Sequence, residues 1–173
     1  VKKPADPTRN GYTFDGWYVG TEPVVSLPVG RAGDLTITAH WKANEDTPYV
    51  VNHYQEDVSG EGKTLVSSET LTGATGGEVT PAVKAYEGFT SPEAQTVTIA
   101  ADGSTVVEYV YTRNLYNLTI NLDGGSYEGD PDTTQYQLPY GAVIETPVKD
   151  GCLFARWTDG VHGYHTMPAE DIT

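Results

Sequence analysis

The sequence predicts a mostly β chain with at most one short helix, and three observations carry that prediction. Thr, Val and Ile supply 46 residues against 23 of Ala, Leu and Met, and β-branched side chains suit a pleated strand better than a helix. Nineteen Gly and eleven Pro punctuate the 173 residues often enough for many short strands. Apolar residues make up 38% and include 12 Tyr and 3 Trp, more than a disordered tail carries.

Taken in order, the first strand lies at 12–18. In an extended run Tyr12, Phe14 and Gly16 share one face while Thr13, Asp15 and Trp17 share the other, so the aromatics meet only if the run bends, and Gly16 is where it bends. Gly11, in the turn after Asn10, is expected at positive φ, and 35–41 closes this segment as a second strand. Residues 43–48 form a polar joint ending in Pro48. Strands at 49–56 and 63–71 flank a Gly-containing turn at 59–62 and read as a hairpin. Residues 81–86, entered at Pro81 and closed near Gly88, are the one helix candidate. Strands at 96–100 and 105–111 around Asp102-Gly103 read as a second hairpin, with Val107, Tyr109 and Tyr111 on one face, and Val106 and Val110, interrupted by Glu108, on the other. Arg113-Asn114 is a two-residue joint; joints this short leave little room to hinge. Strands at 116–122 and 134–138 follow.

The chain contains a repeat. Residues 7–17 lie over 147–157 at an offset of 140, with Pro7/Pro147, Gly11/Gly151, Phe14/Phe154 and Trp17/Trp157 coinciding, and 34–36 match 171–173 at 137. The first copy lacks counterparts of the strands at 116–122 and 134–138, and the second stops before a counterpart of 37–41. Both ends are therefore expected to fall within a repeat, each exposing a sheet edge that a neighbouring chain completes. The expected domains are a C-terminal half-repeat at 1–42, an unrelated domain at 48–113, and a repeat lacking its last strand at 115–173.

The run Gly11-Tyr12-Thr13-Phe14-Asp15-Gly16-Trp17-Tyr18, closed by a strand ending at Trp41, resembles the Listeria-Bacteroides repeat, also called the internalin B-type repeat. The opening strand and turn at 118–125 and Tyr140-Gly141 are similar to the same family, and Gly151, Phe154 and Trp157 repeat its signature. Cys152 and Arg156 depart from it, standing where the first copy has Tyr12 and Gly16. Residues 49–113, opening Tyr49-Val50-Val51-Asn52-His53-Tyr54, resemble mucin-binding-protein-type domains. These resemblances imply an α+β, β-grasp-like fold for each unit in an elongated tandem array, placement at a bacterial cell wall, and no enzymatic activity.

With 24 carboxylates against 10 Lys and Arg the net charge is -14, which excludes the basic face that nucleic acid requires. No apolar run reaches the roughly 20 residues of a membrane span, and the N-terminus lacks a signal-peptide layout, so any targeting signal is expected outside this segment. Lone Cys152 forms no internal disulfide.

Ser26, Ser67, Ser68 and Ser91 lack a nucleophile motif, and His40, His53, His162 and His165 read as strand or loop residues. Cys152, Asp159, His162 and His165 match no zinc-finger spacing, and Cys152, standing in for an aromatic, reads as a buried thiol. Asp123, Glu128, Asp130 and Asp132 are dense in oxygen ligands but lack the EF-hand order, and read as a solvated acidic loop. No metal, cofactor or isopeptide pairing is expected. Tyr127, Tyr136, Tyr140 and Tyr164 are the candidates for a sugar-stacking surface. The function expected is a non-catalytic stalk or adhesin segment of a Gram-positive surface protein, touching neighbouring repeats. The alternative is a module that binds host glycans, mucin or a host surface protein through the middle domain.

Overall fold

The structure is a computed structural model and describes residues 4–26, 33–127 and 134–172. Among them the strands are β1 (Tyr12–Val19), β2 (Glu22–Pro23), β3 (Thr38–Ala43), β4 (Thr47–Glu56), β5 (Lys63–Gly73), β6 (Glu78–Val79), β7 (Phe89–Thr90), β8 (Val97–Thr98), β9 (Val106–Arg113), β10 (Leu115–Thr119), β11 (Gln135–Pro139), β12 (Trp157–Thr158) and β13 (Gly163–Tyr164). They form five separate sheets, ordered β2-β1-β3, β5-β4-β9-β7, β6-β8, β10-β11 and β12-β13.

This corrects the α+β, β-grasp-like expectation, because the described residues contain strands and no helix. Residues 81–86 adopt no regular secondary structure. Six residues that include Pro81 and Val83 cannot offset the cost of nucleating a helix. The backbone there is also engaged elsewhere: the Lys84 N–H donates to the Tyr111 hydroxyl at 2.8 Å and the Lys84 carbonyl accepts from the Ser91 hydroxyl at 2.9 Å.

The expected hairpin at 96–111 is corrected as well. Its turn forms, with the Gly103 N–H donating to the Ala100 carbonyl at 3.0 Å and the Ala100 N–H to Thr105 Oγ1 at 2.8 Å. The strands then part, β8 pairing with β6 while β9 lies between β4 and β7. The expected hairpin of 49–56 and 63–71 is found as neighbouring β4 and β5, and the strand runs expected at 116–122 and 134–138 are found as β10 and β11, which pair antiparallel with each other.

The chain divides into two compact units. The first comprises 1–52, 68–82 and 94–108; the second comprises 53–67, 83–93 and 109–173. In the first, Tyr49, Val51, Ile99 and Val107 are buried, with Thr47 and Thr75 sharing a hydroxyl hydrogen bond of 2.6 Å among them. In the second, Tyr109 and Tyr111 are fully enclosed beside His53, whose Nδ1 is 2.8 Å from the Tyr111 hydroxyl. A separate cluster of Leu118, Ile120, Leu122, Ile144, Met167 and Ile172 fills the remainder of that unit, flanked by Tyr127, Tyr136 and Trp157. Each aliphatic side chain buried there contributes roughly 1.5–3 kcal/mol. Alternation builds both cores: β9 buries Val107, Tyr109 and Tyr111 and exposes Val106 and Val110.

Candidate functional site

The first aromatic signature is made by a bulge. β1 and β3 pair antiparallel with Phe14 opposite Trp41 and Gly16 opposite His40, so Asp15 is an extra residue on β1. Gly16 takes φ 143°, a conformation open to glycine. The bulge brings Phe14 and Trp17 together across what would be opposite faces, at 5.6 Å between centroids and 67° between planes, and Phe14 meets Trp41 at 5.5 Å and 70°. Such edge-to-face pairs add about 0.5–1.5 kcal/mol beyond their burial. The Arg9 guanidinium covers Tyr12 at 3.9 Å, and Tyr18 stacks on His40 at 4.0 Å.

The second signature keeps the turn and the hairpin but not the bulged strand. Gly151 takes φ 71°, as Gly11 takes 72°, and Thr158 faces Gly163 as Tyr18 faces Pro23. Residues 152–156 form no strand. Arg156 stands where Gly16 makes the bulge, and a side chain resists that conformation. Cys152, in this run without a pairing strand among the described residues, is an exposed thiol, correcting the buried one expected. Phe154 still meets Trp157 at 5.1 Å. The Trp157 indole N–H and the Tyr127 hydroxyl both donate to the Glu145 carbonyl, at 3.0 and 2.8 Å. Burial, then the proximity of Tyr136 and Glu145, pushes the Tyr127 hydroxyl up to about 12.

Two asparagines, each directly following the last residue of a strand, β3 or β9, are held by the same set of contacts. Asn44 donates its N–H to the Gly11 carbonyl at 2.9 Å, accepts the Thr75 N–H on its own carbonyl at 2.8 Å, and accepts the Thr13 hydroxyl on its side-chain oxygen at 2.8 Å. Asn114 donates to the Gly88 carbonyl at 2.9 Å, accepts the Tyr140 N–H at 2.9 Å, and accepts the Thr90 hydroxyl at 2.7 Å. Both glycines have positive φ, and both are closely covered. A Cβ on Gly11 would lie 2.6 Å from the Ala101 carbonyl oxygen, and one on Gly88 would lie 2.3 Å from the Tyr140 ring. The turn that receives each asparagine is also the same: the Gly76 N–H donates to Ile99 and the Gly141 N–H to Met167, at 2.9 and 2.8 Å. Arg113 reinforces the second clamp. Its backbone N–H donates to the Glu56 carboxylate at 2.9 Å, its Nε to the Glu56 carbonyl at 3.1 Å and its Nη1 to the Tyr140 carbonyl, while its guanidinium covers Phe89 at 4.7 Å. Each clamp lies inside one compact unit.

The Listeria-Bacteroides repeat domain model matches residues 1–40 and 116–173, more than half of the chain. The chain belongs to the Listeria-Bacteroides repeat domain family. No curated protein matches the chain, and no solved structure does.

Within this repeat protein the four tyrosines considered for sugar stacking are half-buried and engaged in its own packing. Tyr127 meets Tyr136 at 5.9 Å and 87°, Tyr140 meets Phe89 at 5.9 Å and 81°, and the Tyr164 hydroxyl donates to Asp159 at 2.7 Å. Asp159 also accepts the Val161 and His162 N–H groups at 2.7 and 2.6 Å, and those bonds, the His162 N–H first, hold its carboxyl well below the usual carboxylate range. It is the hub of a turn. Among the described residues no three of His, Cys, Asp and Glu converge as a metal group. His162 approaches Asp159 at 3.2 Å. Asp123 pairs with Lys149 at 3.3 Å on the surface, and Glu128, Asp130 and Asp132 lie outside the described residues. Ser67 accepts from Lys84 Nζ at 2.8 Å, and Ser68 donates to Asn52 at 2.7 Å. No helix among the described residues is long and apolar enough to cross a membrane.

The clamps escaped the sequence reading, although a signal exists. Gly11-Tyr12-Thr13 and Gly88-Phe89-Thr90 share a Gly-aromatic-Thr pattern, and each is followed downstream by a strand ending one residue before an asparagine.

Proposed function

We propose that the chain is a non-catalytic stalk segment of an adhesin at a bacterial cell wall, with internalin B-type repeats at 1–42 and 115–173 flanking a mucin-binding-protein-like domain at 48–113. The observation that carries this reading is the asparagine clamp built twice. A stalk transmits position along its length, so its joints must not swivel. Here the residue that leaves each closing strand, β3 or β9, has its N–H, carbonyl and side chain all bonded, to a glycine behind it and a turn ahead of it. An array in which that joint recurs passes stiffness from one repeat to the next. The family assignment supports the repeat architecture, and the -14 charge keeps a projecting segment soluble.

The test displays the full chain on a bacterial surface with an epitope at its tip, and measures capture of antibody-coated beads under flow. The expected result is lower capture when Asn44 and Asn114 are both replaced by Gly at equal display. Equal capture would overturn the stalk reading. A parallel arm exposes the full chain to mucin and a glycan panel, where saturable binding would shift the assignment to a recognition module.

A further inference from the structure

Each asparagine clamp ties an outer turn, which holds the glycine, to an inner turn ahead of it. Among the described residues the outer turn occurs three times, at 9–12, 86–89 and 149–152. In each the residue after the glycine donates its N–H to the carbonyl three residues back: Tyr12 to Arg9 at 3.1 Å, Phe89 to Tyr86 at 3.2 Å and Cys152 to Lys149 at 3.0 Å. The glycines take φ 72°, 76° and 71°. After the first two turns the chain is covered antiparallel by the strand that ends at the asparagine. Tyr12 lies opposite Ala43 and Thr13 opposite Lys42, as Phe89 lies opposite Arg113 and Thr90 opposite Thr112.

The inner turn occurs twice, at 74–77 and 139–142. The Gly77 N–H donates to the Ala74 carbonyl and the Ala142 N–H to Pro139, both at 2.9 Å. Ile99 donates to the Gly77 carbonyl at 2.9 Å and Met167 to the Ala142 carbonyl at 2.8 Å. The pairing that follows also agrees, with Glu78 opposite Thr98 and Val143 bridged to Thr166. The middle segment therefore holds the outer frame of the first family match and the inner frame of the second, although the family model matches neither end of it beyond residue 40 or before residue 116. Its lost aromatic signature has a counterpart. Counted from the glycine of the outer turn, Trp17 corresponds to Ala94; counted back from the asparagine, Ala39, which lies opposite Trp17, corresponds to Tyr109. The large residue has moved to the closing strand, where Tyr109 is fully buried.

We infer that residues 45–114 are a diverged third copy of the repeat, and that each inner turn is a socket whose partner is the closing asparagine of another copy, whichever copy that is. The unrelated domain expected at 48–113 is then the same module with its aromatic signature redistributed. The socket bonds the asparagine through backbone groups: the N–H of its second residue, Thr75 or Tyr140, donates to the asparagine carbonyl at 2.8 and 2.9 Å. A backbone donor is the same whichever side chain its residue carries, so threonine and tyrosine serve alike. Copies joined in this way are interchangeable, and an array grows by adding units that contact only their neighbours. The inference rests on the clamp geometry and the family match, not on the stalk reading.

In the natural chain Asn44 meets Thr75 and Asn114 meets Tyr140. The test inserts a second copy of residues 45–114 into the full chain directly after Asn114, so that at the new junction Asn114 meets the Thr75-Gly76 turn. Hydrogen exchange is followed by mass spectrometry on the peptide that bridges residue 114 to residue 45, a sequence that occurs once in the extended chain. The expected result is protection of that peptide equal to the protection at the two natural joints. Fast exchange there while the rest of the chain stays protected would overturn the interchangeable socket, and failure of the extended chain to fold would count equally against it. A second measurement needs no insertion. In the full chain Tyr109→Ala is expected to lower the melting temperature, and adding Ala94→Trp, which restores the arrangement of the first copy, is expected to recover part of the loss. A double variant no more stable than Tyr109→Ala alone would overturn the assignment of 45–114 as a copy.

Discussion

Gly11 and Gly151 occupy the same place in the repeat signature with nearly the same backbone, φ 72° and 71°, yet replacing them by alanine is expected to cost very different amounts. For both, an alanine held in the left-handed region costs about 1–2 kcal/mol, offset by about 0.4–1 kcal/mol from the less flexible unfolded chain. At Gly151 nothing lies within 4 Å of the added Cβ, so the net loss for Gly151→Ala is about 1 kcal/mol or less. At Gly11 the Cβ would lie 2.6 Å from the Ala101 carbonyl oxygen, 2.7 Å from Thr75 Oγ1 and 2.8 Å from the Ala101 Cα. Two of these are backbone atoms that cannot rotate aside, and overpacking of this kind costs about 1–3 kcal/mol more. Gly11→Ala is therefore expected to lose about 3 kcal/mol in all. The loss is local to the first clamp, so the assay is native-state hydrogen exchange at the Asn44 and Thr75 amides, supported by urea unfolding of the full chain. Protection at those amides is expected to fall by about a hundredfold in Gly11→Ala and to stay unchanged in Gly151→Ala. Equal effects of the two substitutions would refute the claim that Gly11 is required by the joint and not merely by its turn.

Tyr111→Phe removes the hydroxyl that bonds both the Lys84 N–H and His53 Nδ1 inside the second unit; a loss of about 2 kcal/mol is expected, and an unchanged thermal midpoint would contradict it. Asp159 has a depressed carboxyl, so its contribution to stability is full above about pH 4, where the unfolded carboxylate is also ionised, and shrinks as pH falls below that value. Asp159→Asn is expected to flatten the acid limb of the stability curve, and an acid limb identical to that of the unsubstituted chain would count against the turn described. The Tyr127 hydroxyl, raised to about 12, keeps its proton while ordinary tyrosines ionise near 10, so its contribution to stability is full below about pH 10 and is lost as pH rises from there toward 12. The difference in phenolate absorbance between the chain and its Tyr127→Phe variant should show a midpoint near 12, and one near 10 would contradict the burial.

Several parts of this architecture were legible from single residues. Alternation placed Val107, Tyr109 and Tyr111 inward, and the conflict of faces between Phe14 and Trp17 called for the bend that Gly16 supplies. Both follow from local geometry alone. What was illegible depends on partners distant in sequence. Residues 81–86 have helix-compatible composition, but the Lys84 amide is taken by Tyr111, and no local pattern announces that acceptor. The run 96–111 has a hairpin turn, yet β8 pairs with β6 because β9 belongs to a different sheet. Cys152 took its burial by analogy with Tyr12, and that analogy fails because Tyr12 pairs with Ala43 of β3 whereas Cys152 lies in no strand. The clamp residues Asn44 and Asn114 read simply as polar joint residues, since their value lies in three bonds to segments that reach as far as 33 residues away in sequence, as from Asn44 to Gly11.

The stiffness of the two joints is tested most directly by ¹⁵N relaxation of the full chain, read at the Asn44 and Asn114 amides against those of β1, β4 and β9. Clamped joints predict order parameters equal to the strands on either side, near about 0.85. Values below about 0.6 at either asparagine would mean that the joint swivels, and would contradict the assignment of this chain as a stalk segment.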